Sequence, residues 1–176
     1  MTPDIVGDDD ELYRRVPSAT PAAGQICYRV ENGRVIFGSS AFNDRGGSPS
    51  VDRAFLRQLN PHRTRLNADD GVVLLTADAI RKLGPIQKVT KIDDEKIVST
   101  SVVDVLPDPI YFRNFSHAVV KASPEISNSA FKRLKEGLAR VATECGWHVE
   151  PKTPLPPRTF AASLREAVQY LVYRCR

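Results

Sequence analysis

The sequence predicts an α+β fold, a single domain in which a mixed or mainly antiparallel sheet has three to four helices packed on it. Three observations predict it. Short β-branched and apolar runs recur between residues 12 and 120, turn residues punctuate them, and amphipathic helical stripes follow later in the chain. The composition agrees: 176 residues, 41% hydrophobic and 26% charged, are those of one globular domain with a core of its own.

The elements follow in order. Residues 1–11 lack periodicity, carry five acids and no base, and are expected to form a loose acidic tail, leaving 12–176 as the domain. Leu12-Tyr-Arg-Arg-Val16 reads as a strand stopped by Pro17, and residues 18–24 as a loop. Residues 26–30 and 34–37 flank Glu31-Asn32-Gly33, and Asn-Gly between apolar runs signals a hairpin because both residues tolerate positive φ. Ser39 to Phe42 then finish a strand, and Asn43 to Gly47 turn. Val51, Phe55 and Leu59 recur at intervals of four with Ser50 as N-cap, predicting a helix ended by Asn60-Pro61.

Gly71-Val-Val-Leu-Leu75 is a buried-strand run, followed by a helix over 77–83 with Thr76 as cap and Gly84-Pro85 as stop. The mixed charges of residues 86–96 predict a surface turn, and Ile97 to Val105 the longest strand, ended by Pro107 and Pro109. Ser116 to Val120 is another strand, closed by Ser123-Pro124. Phe131, Leu134, Leu138, Val141 and Cys145 make one apolar stripe on a helix over 129–144, opposite a ladder of Lys132, Glu136, Arg140 and Glu144. A short strand at Trp147 to Val149 leads into a Pro-rich connection at 151–157. The capping box Ser163-Leu-Arg-Glu166 then opens a last helix that buries Leu164, Val168, Leu171 and Cys175.

Several function classes are excluded by what the sequence lacks. No apolar run approaches the roughly 20 residues needed to span a bilayer, and no basic region precedes an apolar segment at the start, so a cytoplasmic protein without membrane contact is expected. Cys27, Cys145 and Cys175 form no C-x-x-C pair and are odd in number, which argues for reduced thiols rather than disulfides or zinc. Cys145 and Cys175, on apolar helix faces, read as small hydrophobes. No phosphate-binding glycine loop, zinc-protease helix or nucleophile elbow occurs, and His62, His117 and His148 have no helical i, i+4 spacing for a metal, so no metal site is expected.

Candidate functional residues are few. Arg14 and Arg15 point to opposite faces of the first strand, so one of them faces inward and needs a partner: Asp44, Asp52 or Asp104, or a ligand's phosphate. His117, at a strand end, is placed for acid–base work, and Ser39 and Ser40 close the list of catalytic candidates. Arg53, Arg57, Arg63 and Arg65, with His62, form the densest basic cluster, on the predicted helix and its following loop, and would bind an anion. The net charge of +4 is uneven: 25 basic residues stand against 16 acidic ones over 13–176, a net of +9.

Leu12-Tyr-Arg-Arg15, Ser39-Ser-Ala-Phe42, Ser50-Val-Asp-Arg-Ala54 and Ser116-His-Ala118, read together, make the chain resemble small bacterial proteins with a similar order of short blocks over residues 12–120. That resemblance implies no activity. The chain is also, more weakly, similar to ADP-ribosyltransferase-like enzymes, in which an arginine on an early strand and a Ser-rich strand precede a catalytic glutamate. Arg14 or Arg15 and Ser39-Ser40 would take the first two places, and NAD would be the cofactor; Glu95 lacks the Glu-x-Glu or Gln-x-Glu setting of the third.

Without a nucleophile and base set, the expected function is a binding or interaction protein with a protein partner, an accessory or antitoxin-like component of a bacterial multi-protein system, needing no cofactor. A small nucleotide- or NAD-acting enzyme is the alternative. Nucleic-acid binding through the basic helix-loop face is a second, opposed by the lack of interleaved aromatic residues.

Overall fold

A computed structural model of the chain describes residues 5–20, 24–44, 48–92, 95–110 and 114–153. Alternation along strand β1 (Glu11–Val16) sets the frame, because Leu12 and Val16 on one face are fully buried while Tyr13 on the other is buried beneath a separate layer. β1 pairs with β4 (Ser50–Arg53) on one side and β5 (Gly71–Thr76) on the other. β8 (His117–Ser123), β7 (Glu95–Pro107) and β6 (Ile86–Ile92) extend the sheet to the order β5-β1-β4-β8-β7-β6. Every pairing is antiparallel.

The core lies on one face of this curled sheet. Leu12, Val16, Val51, Val73, Leu75, Val103, Val105, Ala118 and Val120 meet Leu134, Leu138 and Ala142 of helix α2 (Asn128–Cys145) there. Each fully buried leucine contributes about 1.5–3 kcal/mol, which anchors a helix that Ser127 caps by accepting from the Ala130 N–H. The hairpin of β2 (Tyr28–Glu31) and β3 (Arg34–Phe37) closes one end of the core. Its turn has Asn32 and Gly33 at φ 50° and 75°, the primed geometry that the Asn-Gly pair predicts. Trp147 stands edge-on to Tyr28 and Phe37, at 4.8 and 4.6 Å between ring centroids.

The helix content departs from expectation. Only two α-helices occur among the described residues, α1 (Ala77–Arg81) and α2, on a sheet-rich fold, rather than three to four helices packed on a sheet. The predicted helix over 51–59 is instead strand β4 followed by 3-10 turns at Phe55–Arg57 and Pro61–Thr64. β1 pairs with Asp52 and Arg53 on one side and β8 with Ser50, Val51 and Asp52 on the other, and a central strand position outweighs a three-member helical period. The spacing had put Val51, Phe55 and Leu59 on one buried face, yet Phe55 and Leu59 are 71% and 63% exposed. The expected helix from Ser163 and most of the Pro-rich connection lie outside the described residues.

Residues 86–96, read as a turn, contribute β6 and the start of β7, because charges interrupt an alternation that the backbone pairing keeps. Ser39–Phe42 is a 3-10 turn, not a strand end. The stripe of α2 is rotated toward Ala130, Ala139 and Ala142, which leaves Cys145 exposed; among the described residues Cys27 is the buried thiol.

Residues 5–10, expected in the loose tail, are strapped down. Val6 is 2% exposed and belongs to the core. Asp8 pairs with Arg81 at 2.6 Å, and Asp10 with Arg53 at 2.9 Å. The backbone adds to this, since Ala77 and Asp78 at the start of α1 donate to the Asp10 and Asp8 carbonyls.

Candidate functional site

Arg14 is the inward arginine of the pair, and its partner is Asp44. Nη1 lies 2.6 Å from one Asp44 oxygen and Nη2 3.1 Å from the other, the two-pronged contact that a guanidinium fork makes with a carboxylate. Nε and Nη2 also donate to the Ala41 carbonyl, and Nη1 to that of Ser50. Phe42 lies under the group, 5.3 Å from its carbon centre. All five N–H donors are thereby used on protein acceptors.

Asp44 is held just as firmly. Burial by itself would raise its carboxyl, but the charge and hydrogen bonds of Arg14 and the Ser50 N–H outweigh that and hold it below the usual carboxylate range. Ser40, in the same turn, donates to the Ile26 carbonyl, and Ser39 lies half-buried beside it. Burial pushes the Cys27 thiol up despite Arg14 nearby, which leaves it a poor nucleophile. This cluster closes a turn against the sheet.

His117 lies on the other face. Strand register aligns Leu74 of β5, Tyr13 of β1, Asp52 of β4 and His117 of β8 in one row, whereas Arg14 aligns with Val73 on the core face. Arg14 with Ser40, and His117, are therefore separated by the sheet and do not converge. Arg15 shares the outer face and reaches Asp70 at 3.4 Å. Asp70 in turn accepts from the Leu66 and Asn67 N–H groups, so the arginine clips the 61–70 loop to β1.

The row on the outer face is polar and well fixed. Asp52 accepts from Arg57 Nε and Nη2 at 3.1 and 2.9 Å through one oxygen, and from Asn114 Nδ2 at 2.6 Å through the other. Tyr13 stacks on His148 at 5.6 Å; burial first, and then the Glu11 charge, raises its hydroxyl. His117 Nδ1 lies 2.7 Å from the Asp108 carbonyl, a contact that makes Nδ1 the protonated nitrogen and Nε2 the basic one. An imidazole so fixed, beside a locked carboxylate, can hold a hydrogen-bonding ligand or accept a proton.

The sequence spacing did not foretell this row. Tyr13, Asp52 and His117 lie far apart in the sequence, and only strand pairing brings them together; a helix at 51–59 would turn Asp52 away. Asn114 and Asp108 had no signal of their own.

The basic cluster is dispersed by its pairings. Arg57 binds Asp52, and Arg53 binds Asp10 and the Ile5 carbonyl. Arg65 is 2% exposed and donates to the Ala68 and Thr153 carbonyls and toward His62 Nδ1. Burial and the Arg65 charge lower the His62 pKa. Arg63 sits half-buried in the same loop. Arg53, Arg57 and Arg65 are thus engaged by the protein's own acceptors.

Among the described residues no group of three His, Cys, Asp or Glu side chains could hold a metal ion, and no helix is long and apolar enough to cross a membrane. No protein-family model matches the chain, and comparison with curated proteins and with solved structures finds no significant similarity.

Proposed function

We propose that the chain is a binding protein, an accessory or antitoxin-like component that engages a protein partner through the β7 end of its sheet. One observation carries this reading. Val98, Val102 and Leu106 share one face of β7 at 51%, 62% and 40% exposure, with Ile97 and Ile110 exposed beside them. A soluble chain seldom leaves such a row of apolar side chains in water unless another surface covers it. The engagement of Arg14, Arg53, Arg57 and Arg65 by the protein's own acceptors also supports a non-catalytic role.

Photo-crosslinking groups at Val102 and Leu106, introduced in the native cell, test the proposal. A defined protein adduct from the group at Val102 that Leu106→Asp abolishes, and from the group at Leu106 that Val102→Asp abolishes, is the expected result. No adduct at either position overturns it.

A second reading, a small enzyme acting on NAD or a nucleotide, is favoured by the fixed row of Tyr13, Asp52 and His117. It rests on His117, with Arg14 outside the chemistry. Turnover of NAD or a nucleotide that His117→Ala removes would establish it, and inertness of the wild-type chain toward both would dismiss it.

A further inference from the structure

β8 pairs with β7 only from Val102 to Pro107, while β6 pairs with it from Glu95 to Ser101. Residues 86–101 therefore leave the sheet as a two-stranded ribbon of seven residue pairs, and β6 is the last strand of the sheet order. Ile97, Val98 and Thr100 are exposed. A two-stranded ribbon with uncovered faces is marginal in water, and it gains stability when a third strand joins it. Among the described residues no strand pairs with the outer edge of β6, which offers the backbone groups for that strand.

We propose that a second copy of this chain supplies it, β6 pairing antiparallel with β6 of the partner copy about a two-fold axis at Val89. The sequence of the strand, Ile86-Gln-Lys-Val-Thr-Lys-Ile92, suits that register. With Val89 facing its own copy, Ile86 comes opposite Ile92, Gln87 opposite Lys91 and Lys88 opposite Thr90. All seven residues overlap, and no lysine meets a lysine. An axis one residue earlier sets Lys88 against itself, and one residue later opposes Val89 to Lys91 over a shorter overlap, so the pattern of charges selects Val89.

Pairing in this way joins the two ribbons into one four-stranded sheet and extends the apolar row of Val98 and Val102 across the axis. The inference rests on the reading of this end of the sheet as an interaction surface, and names a partner for its edge.

Sedimentation velocity on the full chain tests it. The wild-type chain should pass from monomer to dimer as concentration rises. Val89→Asp and Val89→Lys each place like charges opposite one another at the axis and should weaken self-association by about tenfold or more. An equimolar mixture of the two variants should recover the dimer, since aspartate then faces lysine.

A wild-type chain that stays monomeric at every concentration overturns the proposal, and so does a dimer that neither variant weakens. Far-UV circular dichroism shows whether each variant keeps its fold; folded variants whose mixture stays monomeric overturn the Val89 register. A monomeric wild-type chain would still leave the binding reading standing, because that reading is tested by the Val102 and Leu106 adducts.

Discussion

Arg14 shows how a residue with a functional look can be spent on structure. Its guanidinium is buried and saturated by Asp44 and two carbonyls, so Arg14→Ala leaves Asp44 without its charge partner. Loss of a buried partner of this kind costs about 3–5 kcal/mol, measurable as a drop in the denaturant midpoint, and Arg14→Lys should recover little because an ammonium cannot fork. The pH dependence follows from Asp44. Its pKa is lower folded than unfolded, so its contribution is present above the unfolded value, near 3.8, and fades as pH falls through the folded one. Asp44→Asn should flatten the acid limb of a stability–pH curve below about pH 4. An acid limb that is unchanged in this variant would mean that another carboxylate governs it.

The elements divide by what holds them. β5 has a requirement that no period reveals: a Cβ on Gly71 would lie 2.2 Å from Trp147 Cζ3. Gly71→Ala should therefore cost about 1–3 kcal/mol by overpacking, and much of that penalty should vanish when Trp147 is already alanine, a non-additivity that a double-mutant cycle measures. Elements set by local chemistry were legible in the sequence. The Asn32-Gly33 hairpin, the Thr76 cap of α1 and the 18-residue α2 depend on residues close in the chain. β4 was not legible, because Val51-Asp-Arg53 takes its strand form from partners at residues 12–13 and 117–118. The helical spacing also conceals the candidate site, since Asp52 joins Tyr13 and His117 only through that pairing. The Arg14 and Asp44 pair needed less: an inward arginine narrows its partner to a few acids.

At the scale of the whole molecule, the acidic start of the chain acts as a strap across the sheet and α1. Val6 fills a place in the core, while Asp8 and Asp10 neutralise Arg81 and Arg53, the latter only 8% exposed. The body of the chain is strongly basic, and part of that charge is thus balanced internally before any partner arrives. Removal of residues 1–10 would expose the Val6 site and strip buried Arg53 of its carboxylate, at a cost of about 3 kcal/mol or more. Two single substitutions separate this strap from a general effect of charge. Asp10→Asn should lower the melting temperature, while Asp9→Asn, at an exposed neighbouring position, removes the same charge and should leave stability within about 0.5 kcal/mol of wild type. Equal effects from both would show that net charge governs stability, and no effect from either would show that the segment does not hold the body together.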